Sequence, residues 1–468
     1  MQKKKFFPAG FGSYRTGFKH AGTLSYALSK GVNLIDTSAN YLDGESEKMI
    51  GSVLKKEIEE GKFKREDVFI VSKGGYIQGT NLINEDRKRK DGNPYQEVVF
   101  CGSALRHCIN PQFLKDQISE SLQRLQTSYI DYYLLHNPEY FLLYTPVDYF
   151  KDLKAEYYRR IKVAFEFLES EVAAGRIKNY GISSNTFVIS EGEDSFTSLE
   201  KICEISEQTG KDNHFAMIQF PLNLNEKGGV VNLNQEKGTS SVLKYAAKKG
   251  LEVLINRPLN SILKGQIERL ADFPVEKSLD QNNLQTIYSK LANIESELRE
   301  LVIYEIKSTP EKVESVRNSL NISSYIKNNI EAFKNPVILS DIYEYYIEDK
   351  LSVLNTFSDS YGKQNDALTQ KKNEYTSSVR KMFEIMASIL AGEENKKNEK
   401  IHEKLSGYLP AKYRNLSLSA KSLLLIMGLK EVSCVLLGMR KEEYVNEAAD
   451  VAALDKVKIT DEFWFLER

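Results

Sequence analysis

Between residues 32 and 256, short β-branched runs alternate with amphipathic stretches, and this alternation limits the possible folds more than any other feature. Strand patterns fall at residues 32–37 (VNLIDT), 68–72 (VFIVS), 130–136 (IDYYLLH), 177–183 (IKNYGIS), 216–220 (AMIQF) and 251–256 (LEVLIN). Helical patterns at 22–29, 46–60, 111–125, 161–174, 198–209 and 240–249 separate them. Parallel strands need a long crossover, which a helix supplies, so repeated strand–helix units imply a parallel sheet. The N-terminal PAGFGSY adds a strand, as does 432–437, flanked by helices at 417–427 and from 442. Eight such strands predict an α/β fold, a closed (β/α)8 barrel.

The count holds only if residues 264–415 are set apart as an insertion after the seventh strand, leaving 1–263 and 416–468 as the barrel. The insertion carries no strand pattern. Leu284, Ile287, Leu291, Ile294, Leu298 and Leu301 are spaced by alternating threes and fours, a helical seam. Further helices are expected at 310–333, 336–355 and 373–390, and EENKKNEKIHEK reads as an exposed helical face. A self-packed helical bundle is expected, with self-association through the seam as the other use of such a stripe.

Composition excludes several classes of function. The 64 Lys plus Arg balance 65 Asp plus Glu, for a net charge of -1, so no strongly basic surface for nucleic acid is expected. No run of eighteen apolar residues occurs, and MQKKKFF meets Pro8 before a signal core can form. A soluble, cytoplasmic protein without a membrane partner is expected. The four cysteines lack a CxxC spacing, so reduced thiols are expected. His20, His107, His136, His214 and His402 form no metal-ligand pattern, and neither GxGxxG nor GxxxxGK[ST] is present.

Two long loops, 74–110 and 136–157, follow strand C-termini, the face where barrels build their sites. Asp36 with Tyr41, Lys73 and His136 close apolar runs at the ends of three successive strands. With NLIDTSANYLDGESEKMIG, VSKGG, YIDYYLLHNPE, GRIKNYGISS, MIQFPLN, INRPLN and VLLGMRKEEYVNEA in order, the chain resembles the aldo-keto reductases. The resemblance implies reduction of an aldehyde or ketone by NADPH, with NAD as the other possible cofactor. It implies Tyr41 as general acid, with Lys73, Asp36 and His136 as its catalytic partners. It further implies cofactor contacts at Ser13, Tyr14, Asp36, Ser183, Ser184, Gln219, Asn256, Arg257, Leu259, Gly438, Met439, Arg440 and Glu447. Ser183 and Ser184 match the family pair that holds the carboxamide. Asn256 falls where many members carry a tyrosine stacked on the nicotinamide, Met439 replaces a common basic residue, and Arg440 is left to grip the 2'-phosphate.

Simple electrostatics bears on the same residues. Bringing a tyrosine from about 10 to near 7 needs about 4 kcal/mol, which an ammonium about 4 Å away supplies at an effective dielectric of about 20. Lys73, kept charged by Asp36, is therefore expected to make Tyr41 a usable acid, and a neutral His136 to orient the carbonyl. The rival reading is a non-catalytic nicotinamide sensor or scaffold that acts through the helical insertion.

Overall fold

The computed structural model describes residues 5–263, 266–275, 281–305, 310–361, 366–457 and 461–465. Eight strands close into a parallel barrel: β1 (Ala9–Gly12), β2 (Leu34–Asp36), β3 (Phe69–Gly74), β4 (Ile130–His136), β5 (Ile177–Ser183), β6 (Phe215–Pro221), β7 (Glu252–Asn256) and β8 (Cys434–Leu437). Each pairs in parallel with its sequence neighbour, and β8 closes the ring against β1 with Ala9 opposite Val435. Leu34, Val71, Leu134, Met217, Leu254, Cys434 and Leu436 form one buried cluster contributed by six strands. Space there is tight: a Cβ on Gly10 would lie 2.9 Å from a Leu34 methyl and 3.0 Å from the Cys434 sulfur. A glycine at that point lets the barrel close.

Helices α1 (Ala21–Ser29), α2 (Glu45–Glu59), α3 (Pro111–Leu125), α4 (Leu153–Ala173), α5 (Leu199–Thr209), α6 (Val242–Lys248), α7 (Leu418–Met427) and α8 (Glu442–Ala453) surround the strands. Their starts follow local chemistry. Asn110, Asp152, Ser198, Ser241 and Ser417 each accept a backbone N–H of the first turn, satisfying donors that have no intrahelical partner. Asp152 starts α4 well before the apolar pattern at 161, because the mixed LKAEYYRR segment hides a face that buries Tyr157 and Arg160.

The chain divides into two compact units, Met1–Glu268 with Tyr408–Arg468, and Arg269–Gly407. The strand-free reading of 264–415 needs correction: Gln266–Arg269 is a strand paired with Asn260–Leu263 in a small two-stranded sheet. A two-stranded sheet takes its stability from the partner strand, which local periodicity does not register. Residue 264, the expected boundary, lies outside the described residues. In the second unit the seam helix is Gln281–Glu305, with Leu291, Ile294 and Leu298 buried in the unit's own core beside Tyr375, Val379 and Met382. The expected helix at 310–333 is broken into Pro310–Ser319, Ile322–Asn329 and a 3-10 turn Ile330–Ala332. The 373–390 pattern belongs to a 43-residue helix, Asp366–Tyr408, that also contains the charged run. Buried Glu295 ties three helices of this unit together, accepting from the Ser323 N–H (3.0 Å) and hydroxyl (2.7 Å) and from the Tyr375 hydroxyl (2.8 Å). Among the described residues, no helix is long and apolar enough to cross a membrane.

Candidate active site

Six neighbouring strands carry polar residues to their C-terminal ends: Asp36, Lys73, His136, Ser183, Gln219 and Asn256. Lys73 is fully buried and donates to Asp36 Oδ2 at 2.7 Å, to the Thr37 carbonyl at 2.9 Å and to the Tyr41 hydroxyl at 3.4 Å. Withdrawing an ammonium from water is tolerable only with such partners. Burial pulls the Lys73 pKa down, and the Asp36 carboxylate opposes that shift.

Tyr41 arrives through the loop after β2, which extends the sheet by two further bonds, from Thr37 N–H to the Val71 carbonyl and from Ala39 N–H to that of Lys73. Immediately beyond it, Leu42 (φ 47°), Asp43 (φ 54°) and Gly44 (φ 85°) are all left-handed, a conformation that costs a non-glycine residue about 1 to 3 kcal/mol. Asp43 holds the turn by accepting from the Thr80 N–H at 3.0 Å and from the Thr80 hydroxyl. Gly44 is needed twice over, since a Cβ there would also fall 2.7 Å from Arg124 Cδ.

The expected lowering of the Tyr41 pKa is not what the site produces. Burial, then the Asp36 carboxylate and then Tyr14 hold the phenol well above its ordinary value. The reason is charge cancellation: Asp36 accompanies Lys73, so the phenol faces a nearly neutral pair and burial prevails. Tyr41 is therefore fully protonated at neutral pH, the form a proton donor must have.

His136 is neutral, held well below its usual pKa by burial, the Lys73 ammonium and His107. Ser38 Oγ lies 3.0 Å from His136 Nδ1, 2.6 Å from Asn40 Oδ1 and 3.2 Å from the Lys73 carbonyl. Ser38 has one proton to give. For His136 to donate from Nε2, that proton must go to Nδ1, with Asn40 turning its amide nitrogen toward Ser38. The loop from 75 to 110 contains a helix, Thr80–Lys90, and a three-stranded sheet of Tyr76–Ile77, Val99–Phe100 and Arg106–His107. From this sheet, buried His107 donates through Nε2 to the His136 carbonyl at 2.8 Å, and burial pushes its pKa down to about 4. Tyr76 meets the His136 ring edge-on at 4.7 Å, accepts from Asn137 Nδ2 at 2.6 Å and touches Tyr140, which stacks on His107. Sequence reasoning missed Ser38, Tyr76, His107 and Tyr140. Only their place in or beside strand-end segments marked them.

On the other side, Gln219 Nε2 donates to Asp36 Oδ1 at 2.7 Å, while Gln219 Oε1 accepts from the Ser183 hydroxyl at 3.0 Å and Asn256 Nδ2 at 3.3 Å. Ser184 is buried, with its hydroxyl 3.1 Å from that of Thr186. Ser13 is buried in a hydroxyl cluster with Ser46 and Thr37, whereas Tyr14 is 61% exposed and packs edge-on to Tyr41. Arg257 pairs with Glu226 at 2.7 Å, and Leu259 lies in the loop after β7.

The remaining implied positions follow β8. Gly438 is exposed, Met439 is fully buried, and Arg440 is partly exposed ahead of α8. The α8 N-terminus carries Glu442 and Glu443 in its first turn, which offset the positive end of the helix dipole. The Glu447 carboxylate already accepts from the Ser417 and Ser419 hydroxyls, at 2.6 and 2.7 Å. Among the described residues, no three His, Cys, Asp or Glu side chains are grouped to hold a metal ion. All four cysteines are free, and burial pushes Cys101 up to about 11 and Cys108 up to about 12.

One observation bears directly on whether the site fits a ligand. Asn256 Oδ1, Arg257 Nε and Asn260 Oδ1, at the end of β7 and in the four residues beyond it, are buried without a hydrogen-bond partner. Buried polar atoms are nearly always paired, so a local group of unpaired ones suits a polar ligand such as a dinucleotide.

Fold and site together define a (β/α)8-barrel protein with a buried lysine–carboxylate pair, a tyrosine and a histidine at the C-terminal mouth. The model of the aldo/keto reductase family matches residues 14–325, and the chain belongs to that family. It is 31% identical over 116 residues to the NADH-specific methylglyoxal reductase of Escherichia coli, covering 24% of this chain and 29% of that protein. It is 27% identical over 133 residues to aldo-keto reductase family 1 member C13 of Mus musculus, covering 28% and 31%. The chain thus spans about a third of the length of these curated relatives. A solved aldo/keto reductase from Klebsiella pneumoniae, in complex with NADP and acetate, is 19% identical with a TM-score of 0.34, covering 54% of this chain and 64% of that one.

Proposed function

We propose that the barrel reduces an aldehyde or ketone to an alcohol with NADPH, NADH being the alternative donor. The observation that carries this reading is the contact of fully buried Lys73 with both Asp36 and the Tyr41 hydroxyl, one strand from His136. When bound, the nicotinamide supplies a hydride to the carbonyl carbon. Neutral His136, donating from Nε2, and the Tyr41 hydroxyl hold the carbonyl oxygen. As that oxygen gains negative charge, Tyr41 gives up its proton, and Lys73 Nζ, 3.4 Å away, is placed to donate a hydrogen bond to the phenolate oxygen left behind. The raised phenol pKa keeps the proton on Tyr41 until the carbonyl oxygen gains charge, and an alkoxide is a stronger base than an ordinary phenolate. Tyr76 and Tyr140 form an aromatic wall beside His136, and the small sheet that carries Tyr76 fixes the His136 backbone through His107.

Ser183, Ser184, Gln219 and the loop from Asn256 through Arg257 to Leu259 would hold the nicotinamide half, with Ser13 and Tyr14 bordering it. Arg440, with Gly438 and Met439 shaping its loop and Glu447 behind, would face the adenosine phosphate. The similarity to an E. coli protein named as NADH-specific supports keeping NADH as the alternative. The test is to follow nicotinamide absorbance while the protein is mixed with NADPH or NADH and a panel of aldehydes and ketones. Turnover of at least one carbonyl that disappears in Tyr41→Phe supports the reading, and dinucleotide binding without any turnover refutes it.

A further inference from the structure

We infer that Asn256 accepts a hydrogen bond from the carboxamide N–H of the nicotinamide, so that this chain selects its cofactor by amide recognition at β7. The inference rests on the nicotinamide reading above and adds a contact to it.

The argument is one of hydrogen-bond direction. An ionised carboxylate only accepts, so Gln219 must turn Nε2 toward Asp36 Oδ1, 2.7 Å away. Its Oε1 then faces the other way and accepts from the Ser183 hydroxyl at 3.0 Å. Asn256, on the next strand, reaches the same oxygen at 3.3 Å and can do so only through Nδ2. Asp36 thereby fixes the orientation of both amides, and Asn256 Oδ1 is left buried with no donor. The polarity of this atom is set by the chain of contacts and is independent of how an amide is assigned.

An orphaned acceptor of this kind carries a desolvation cost that a ligand donor removes. Ser183, Gln219 and Asn256 form a polar row across β5, β6 and β7: Gln219 pairs in register with Ser183 on one side and with Leu254, two residues before Asn256, on the other. A nicotinamide ring has one kind of N–H donor, its primary amide.

The experiment compares binding of NADP+ with that of its 3-acetylpyridine analogue, in which a methyl group replaces the amide nitrogen. Dissociation constants are measured by calorimetry, without substrate or turnover, for the native protein and for Asn256→Leu. The native protein should prefer NADP+ by at least about tenfold, and Asn256→Leu should lose about tenfold of that preference, the effect of one hydrogen bond left unmade. An equal preference in both proteins, or none in the native protein, overturns the assignment to Asn256 while leaving the cofactor reading intact. Failure of the native protein to bind either dinucleotide overturns both. The native comparison stands even if Asn256→Leu folds poorly, and Asn256→Ala, whose side chain has no acceptor, serves as the second variant with the same expected loss.

Discussion

Glu139, three residues beyond His136, offers a quantitative check on the electrostatics of the site. Its side chain is 1% exposed; Oε1 accepts from the Asn185 N–H at 2.8 Å, and Oε2 is buried without a partner. Burial raises its pKa from 4.5 to about 7, against the lowering effects of its own backbone N–H, that of Asn185 and the Ser184 hydroxyl. A carboxyl whose folded pKa is raised keeps its proton longer in the native state than in the unfolded chain. Between pH 4.5 and 7 the native state therefore binds more protons, and stability falls as pH rises. From pH 5 to pH 8 this one group should cost about 2.5 kcal/mol. Glu139→Gln removes the titration but keeps an oxygen for the Asn185 N–H, so the turn carrying Ser184 stays in place. Urea unfolding of both proteins at pH 5 and pH 8 should show the native protein losing about 2 to 3 kcal/mol more than the variant over that interval. Parallel losses, within about 0.5 kcal/mol, would refute the reasoning and mean that Glu139 is ionised and solvated in the native state.

Tyr41→Phe should reduce turnover by at least about a hundredfold with little change in dinucleotide affinity, since it deletes a proton donor and no cofactor contact; stopped-flow rates and binding titrations separate the two effects, and near-native turnover would exclude Tyr41 as the acid. Lys73→Met should destabilise the protein by about 3 to 5 kcal/mol by leaving Asp36 buried and unpaired. Adding Asp36→Asn should restore much of that loss in urea denaturation, and a double variant as unstable as the sum of the two singles would show the pair to be uncoupled. Arg440→Ala should weaken NADPH about tenfold more than NADH; equal weakening in calorimetry would remove Arg440 from the phosphate site.

Local pattern was enough for the barrel strands, because each short apolar run is bounded by a helix, and a strand between crossovers has nowhere to go but a parallel sheet. It also picked out Asp36, Lys73 and His136, since a charged or titratable residue that closes a buried strand lies on the C-terminal face. The heptad-like seam was equally plain, and its burial within the second unit follows from the same period. What the pattern could not carry was anything set by a partner distant in sequence. The bond from His107 to the His136 carbonyl needs a three-stranded sheet formed within a loop. The direction of the Tyr41 pKa depends on Asp36 neutralising Lys73, and the orphaned Asn256 oxygen depends on an amide relay that begins at Asp36, far away along the chain. Sequence determines which face of each element is apolar, because that is a property of neighbours along the chain; charge balance and hydrogen-bond direction belong to groups that only the closed barrel brings within hydrogen-bonding distance of one another.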